Sequence, residues 1–282
     1  MNALVLGAGG QLGSELVRLL PGTLGLAHHE LSVSDRDGIE RACAQFRPQV
    51  VFNCAAFNAV DRAEAEPELA QSVNAAGAEN AGLACRHQGV RLIHFSTNFV
   101  FDGVLDRPYT EKDEAQPLGV YGRSKLDGER AVLAALPEAL VIRTAAVFGD
   151  RGSLVKGGSF PERIVERARR GEQLRVVSDQ RVNPTYARDL ARAAITLAAG
   201  DLSGVVHVVA DGCCAWDEFA RAALADCGVE AEVEAVTSAE VAALAPRPLN
   251  GCLGSVRTAP LRPWREGLAE WAANWTTRSH KP

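Results

Sequence analysis

Tyr121 and Lys125 stand four residues apart in Val-Tyr-Gly-Arg-Ser-Lys, and Ser96-Thr97 precedes them. On a helix the i, i+4 spacing puts phenol and ammonium on one face, a turn apart. A phenol with a pKa of about 10 is a poor acid–base group at neutral pH. A neighbouring ammonium favours the phenolate, lowers that pKa and makes the proton transferable. A hydroxyl such as that of Thr97 can then hold a carbonyl or alcohol oxygen beside the phenol. The expectation is a proton donor, Tyr121, tuned by Lys125 and oriented by Thr97. By itself Tyr-x-x-x-Lys also describes an ordinary solvated helix face, so the elements around it decide.

Those elements begin at the N-terminus. Residues 2–7 are a short apolar run ending in glycine, and Gln11 to Leu20 is amphipathic. Between them Gly7, Gly10 and Gly13 form Gly-x-x-Gly-x-x-Gly. Gly7 permits a tight turn, Gly10 lets backbone approach a pyrophosphate, and Gly13 lets the helix pack on its strand. The helix N-terminus then presents free N–H groups to the anion. Strand-like runs at 23–27, 49–53, 90–95 and 140–143 alternate with helical ones at 34–46, 67–85 and 121–136. Alternation of this kind predicts an α/β fold, a doubly wound parallel sheet with ligands outside the C-terminal strand ends. Gly7, Ala55-Ala56, Ser96-Thr97 and Arg143-Thr144 all fall at such ends.

Beyond Gly149 the alternation weakens, after a glycine-bearing loop at 150–158. The expected division is a dinucleotide-binding Rossmann domain at 1–149 plus about 181–201. A smaller mixed substrate domain takes 150–180 and 202–282, including 205–209.

The 282 residues contain no run of 18 apolar side chains and open without a basic leader, which predicts a cytoplasmic protein with no membrane contact. A net charge of −5, with Arg163–Arg170 interleaved by apolar residues, argues against a nucleic-acid partner. The seven cysteines contain no Cys-x-x-Cys pair and are expected to be reduced, and the histidines lack metal-ligand spacing. No metal site is expected.

Taken together, these residues resemble the extended short-chain dehydrogenase/reductases, and among them the dTDP-4-dehydrorhamnose reductase family. The likeness runs through Gly7-x-x-Gly10-Gln11-Leu12-Gly13, Asn53-Cys-Ala-Ala56, and Ala59-Val-Asp61 to Glu66-Pro67. It continues in Ser96-Thr97-x-x-Val100-Phe101-Asp102-Gly103, Tyr121-Gly-x-Ser-Lys125-x-x-Gly128-Glu129, Arg143-Thr144, Pro184-Thr185 and Arg247-Pro248-x-Asn250. It implies reduction of the C4 keto group of a nucleotide-activated 6-deoxyhexose, dTDP-4-dehydro-L-rhamnose, to dTDP-L-rhamnose. Gly7, Gly10, Gln11 and Leu12 are implied at the pyrophosphate, with Ala55 and Ala56 along the adenosine-to-nicotinamide path. Lys125 is implied at the nicotinamide ribose, Tyr121 as proton donor, Thr97 at the carbonyl and Arg247 at the nucleotide diphosphate.

The chain also departs from the family. Asn98-Phe99 replaces the usual Asp-Tyr, and Ala146 stands where a tryptophan is usual, so Asn98, Phe99 and Ala146 are candidate determinants of the sugar. Ala27 ends the second strand where an acid would grip a ribose 2′-hydroxyl. With no acid there and His28 next, the expected cofactor is NADPH, NADH being possible. Asp61, Glu64 and Glu66 read first as a capped helix start with solvated carboxylates, and otherwise as a divalent-cation or subunit contact, since some relatives dimerise around magnesium. A homodimer is therefore an open expectation. Two alternatives share the fold: a non-catalytic cofactor-binding regulatory subunit, and a nucleotide-sugar epimerase.

Overall fold

Apolar runs of four to seven residues, too short for independent helices, form the centre of the protein. In the computed structural model, which describes residues 1–151 and 157–279, six strands make one parallel sheet. They are β1 (Ala3–Leu6), β2 (Leu24–Leu26), β3 (Val50–Asn53), β4 (Arg91–Thr97), β5 (Leu140–Thr144) and β6 (Gly204–His207), in the order β2-β1-β3-β4-β5-β6. Strand side chains alternate between faces. Val5, Phe52, Ile93 and Ile142 meet α1 (Gln11–Leu19) and a helix at Ala187–Ala198, through Leu16, Leu190 and Ala194. Leu4, Val51, Leu92 and Val141 meet α2 (Arg36–Phe46), α3 (Gly77–Gln88) and α4 (Val120–Ala135), through Ile39, Ala81 and Val132. Both faces are covered, as a parallel sheet requires.

From β1 the chain first moves to β2 on one side and then to β3 on the other. This reversal opens a crevice beyond the C-terminal ends of β1 and β3, where doubly wound sheets bind ligands. The expected α/β fold is present. The strand Gly204–His207, which the sequence reading assigns to the smaller domain, instead pairs with β5 in this sheet. Val205 and Val206 contribute to opposite cores, so the run fits a two-faced edge strand. The loop expected at 150–158 lies mostly outside the described residues.

The C-terminal residues gather around an aromatic cluster of Phe148, Tyr186, Phe219, Trp264, Trp271 and Trp275. Its helices are Phe160–Arg169, Trp216–Asp226 and Trp264–Ser279, with Leu174–Val177 and Val233–Val236 paired in parallel. One cysteine expectation is corrected. Cys213 and Cys252 form a disulfide, their Cα atoms brought to 6.1 Å across 39 residues of chain. Spacing along the sequence cannot reveal such a pairing. Cys43, Cys54, Cys85, Cys214 and Cys227 are free.

The helix expected from Pro67 to Cys85 is interrupted. Pro67–Gln71 leads into a π-helical turn, Ser72–Ala76, and then α3. The wider turn places the Asn74 side chain against the segment after β3 and against α4. Its amide accepts from Phe57 N at 2.9 Å and donates to Phe57 O at 3.0 Å and Ser124 Oγ at 2.9 Å. α4 lies close enough to this turn that a Cβ at Gly128 would overlap the carbonyl oxygen of Asn74. Gly128→Ala is therefore expected to lower unfolding free energy by about 1–3 kcal/mol through overpacking. Urea denaturation measures this, and an unchanged midpoint would mean that the helix is not seated by backbone contact.

Candidate active site

The end of β4 brings the three expected groups together. The Tyr121 hydroxyl faces Thr97, and its ring meets that of Phe99 edge-on at 5.4 Å. Thr97 Oγ1 also accepts from Phe99 N at 3.2 Å and so caps the short turn Asn98–Val100. Lys125, only 2 % exposed, donates from Nζ to Phe95 O at 2.7 Å and lies 3.5 Å from His94 Nε2. Burial pulls its pKa down to about 8, against the opposing pull of Glu129. His94 is driven well below the usual imidazole range by burial and by Lys125.

The expected tuning of the phenol does not hold here. Burial raises the Tyr121 pKa above its ordinary value, and the Thr97 hydrogen bond only partly offsets that. The reason is orientation: the Lys125 ammonium is spent on the β4 backbone and does not lower the phenol.

The glycine turn has the geometry a dinucleotide needs. Gly7 is left-handed at φ +76, and a Cβ there would sit 2.7 Å from Ala55 N across the crevice. Gly10 caps α1 without any side-chain hydrogen bond, which leaves the first amide groups of Gln11 and Leu12 facing outward. Leu12 itself is buried in the core. Gln11 Oε1 and, at the end of β5, Thr144 Oγ1 are buried without partners among the described residues. Thr144 pairs in register with Thr97. Buried polar atoms left unpaired beside a glycine cradle fit a polar ligand.

A model of the family described as "RmlD substrate binding domain" matches residues 1–277. The chain belongs to this family. It is thereby an oxidoreductase of the extended short-chain type. It is 40 % identical over 283 residues to the dTDP-4-dehydrorhamnose reductase of Mycobacterium tuberculosis, covering 94 % of this chain and 90 % of that one. It is 37 % identical to a probable dTDP-4,6-dihydroxy-2-methyloxan-3-one 4-ketoreductase of Streptomyces antibioticus, covering 100 % and 98 %. A crystal structure of the Bacillus anthracis dTDP-4-dehydrorhamnose reductase, in complex with NADP, superposes with a TM-score of 0.91 at 29 % identity, covering 96 % and 98 %.

Within this reductase frame the candidate sugar-side residues take different places. Asn98 is buried, and its amide donates to Gly251 O at 3.0 Å, tying the end of β4 to the C-terminal segment. Phe99 lies against Tyr121. Ala146 has a left-handed backbone, φ +42, uncommon for a residue with a Cβ, and its carbonyl accepts from Thr185 N at 3.3 Å. Arg247 is paired with Asp61 at 2.7 Å and donates to Ala245 O at 2.9 Å. That guanidinium holds the Asp61 carboxyl below its usual range. Ala55 is half-buried, and Ala56 and His28 are exposed.

Three carboxylates carry more of the site than the sequence reading assigned them. Glu64 accepts from Val120 N at 2.7 Å and so caps α4 from outside the helix, beside the favourable end of its dipole. Glu129 binds Arg143 through two bonds, at 2.9 and 2.7 Å, and accepts from the Ser96 hydroxyl. Glu30 folds back along the 27–30 turn and accepts from Ala27 N at 2.8 Å, which brings an acid to the end of β2. Ala27 alone shows none of this; a side chain three residues on supplies the charge. Asp61, Glu64 and Glu66 each have a protein partner, and no metal-binding cluster occurs among the described residues. No helix among them is long and apolar enough to cross a membrane. Asn98→Ala is expected to strand Gly251 O and to cost about 1–3 kcal/mol of stability. Thermal and urea unfolding report the loss, and a neutral result would show that the tie to Gly251 contributes nothing.

Proposed function

We propose that this chain reduces the C4 keto group of a nucleotide-activated 4-keto-6-deoxyhexose, dTDP-4-dehydro-L-rhamnose, with NADPH, in the cytoplasm. The observation that carries the reading is the placement of Thr97 at the end of β4 beside Tyr121 and Lys125, one turn apart on α4. When bound, NADPH supplies the hydride. Gly7, Gly10 and the amide groups of Gln11 and Leu12 would hold its pyrophosphate, with Ala55 and Ala56 giving the dinucleotide room.

Thr97 would orient the substrate carbonyl by donating a hydrogen bond. Tyr121 would give its proton to O4 as negative charge develops there. Such proton transfer contributes about 10²–10⁴-fold. A phenol raised by burial is protonated at neutral pH, which suits a donor in reduction. Lys125, freed from Phe95 O, would hold the nicotinamide ribose and stabilise the phenolate left behind. Phe99 and Ala146 would shape the sugar pocket, and Arg247 would exchange Asp61 for the substrate diphosphate, because a guanidinium fits either oxyanion. The names of the bacterial relatives carry more than one dTDP-sugar, and in this reading Phe99 and Ala146 would select the pyranose.

Tyr121→Phe should lower kcat with the dTDP-4-keto sugar by at least about 100-fold while leaving NADPH binding within a factor of about two. Absorbance of the nicotinamide and fluorescence titration measure the two quantities. Cofactor binding without oxidation across several keto sugars would replace this reading with the regulatory subunit. NAD copurifying at full occupancy would point to the epimerase. At the ribose end, Glu30→Gln should tighten NADPH about 3- to 10-fold relative to NADH at low ionic strength, since one like charge is removed. An unchanged affinity ratio would place Glu30 outside the 2′-phosphate field.

A further inference from the structure

Four successive residues of β4 are committed to one face of α4. Thr97 faces Tyr121, Phe95 O and the His94 ring take Lys125, and the Ser96 hydroxyl donates to Glu129. Tyr121, Lys125 and Glu129 are spaced i, i+4, i+8, so they form a single stripe. Glu129 is buried, as is the Arg143 guanidinium that grips it from β5. Arg143 lies over the Phe101 ring at 5.2 Å, which holds the cation from its other side. A buried ion pair is not in itself a gain in stability. This one stands directly behind the lysine of the proposed reaction.

We propose that Glu129 is a positioning residue for Lys125: clamped by Arg143 and Ser96, its carboxylate keeps the ammonium protonated and in register with Tyr121. The inference rests on the ketoreductase reading for its purpose, though not for its measurement. The groups facing Lys125 are His94 from β4, Cys54 after β3, and Tyr121 and Glu129 from α4. The turn at Asn98–Val100 brings no charge, while Glu64 and Asp127 are occupied by Val120 N and Gln71. His94 is neutral, because its own protonation is strongly disfavoured beside Lys125. Burial raises the Cys54 thiol, which keeps it neutral as well. Glu129 is therefore the carboxylate on this stripe, and it opposes the desolvation that draws the Lys125 proton off.

The chain has only four lysines, at 112, 125, 156 and 281, so 13Cε-lysine NMR can follow Lys125 alone, assigned by its loss in Lys125→Met. Titration of the full chain without substrate should show Lys125 near the value of about 8 noted above. Glu129→Gln leaves Arg143 buried and unpaired and is expected to be poorly folded. The double variant Glu129→Gln/Arg143→Gln, which removes both charges, carries the test. In it the Lys125 titration should fall by about one pH unit or more, since the favourable opposite charge is gone. The alkaline limb of kcat/KM should move by the same amount toward acid. Glu129→Asp, which keeps the charge, should restore the wild-type titration. A Lys125 titration unchanged in the double variant would overturn the proposal, whatever the rate. Missing ketoreductase turnover would instead sink the functional reading and leave this measurement standing.

Discussion

The seating of α4 on β4 is the constraint on which the rest of the structure depends. The phenol of Tyr121, the ammonium of Lys125 and the carboxylate of Glu129 keep their relative heights along the helix only if one rigid surface fixes them. That surface is the C-terminal half of β4, whose side chains and carbonyls bind successive turns of α4. The helix can come this close because glycines face the neighbouring backbone at Gly122 and Gly128. Its first turn is completed from outside by Glu64, and its far end is locked to β5 through Glu129 and Arg143. Mutual support of this kind locks the rotamers of the side chains it holds.

The sheet supplies the other half of the site. Reversal of the strand order at β1, with β2 on one side and β3 on the other, opens one crevice, and the glycine turn stands on its rim because only Gly7 and Gly13 tolerate the approach of Ala55 and of the turn itself. The C-terminal segment returns over the same rim. Gly251 holds Asn98, and Ala245 and Arg247 reach Asp61, so residues distant in sequence share the mouth of the crevice. The disulfide between Cys213 and Cys252 joins this returning segment to the smaller part of the chain.

Burial dominates the electrostatics. It raises Tyr121, lowers Lys125 and suppresses His94; Thr97 and Glu129 offset the first two only in part, and Lys125 adds to the third. Lys125, so desolvated, donates to the backbone of β4 at Phe95 O.

Strand alternation and glycine placement are local properties, and they were enough to determine the α/β fold, the crevice and the position of Thr97 at a strand end beside the helix of Tyr121 and Lys125. A repeating pattern with period two or 3.6 encodes which face is buried, and a Gly-x-x-Gly turn encodes where backbone can be approached. What the tertiary structure alone decided concerns partners. It placed Gly204–His207 in the sheet, broke the helix at Asn74, joined Cys213 to Cys252, and gave Arg247 to Asp61. It also turned Lys125 toward Phe95 O and brought Glu30 to the end of β2. Each of these is a contact or a pairing set by three-dimensional packing, and in such contacts a charged side chain commits to whichever neighbour desolvates and satisfies it, a choice that no spacing along the chain records.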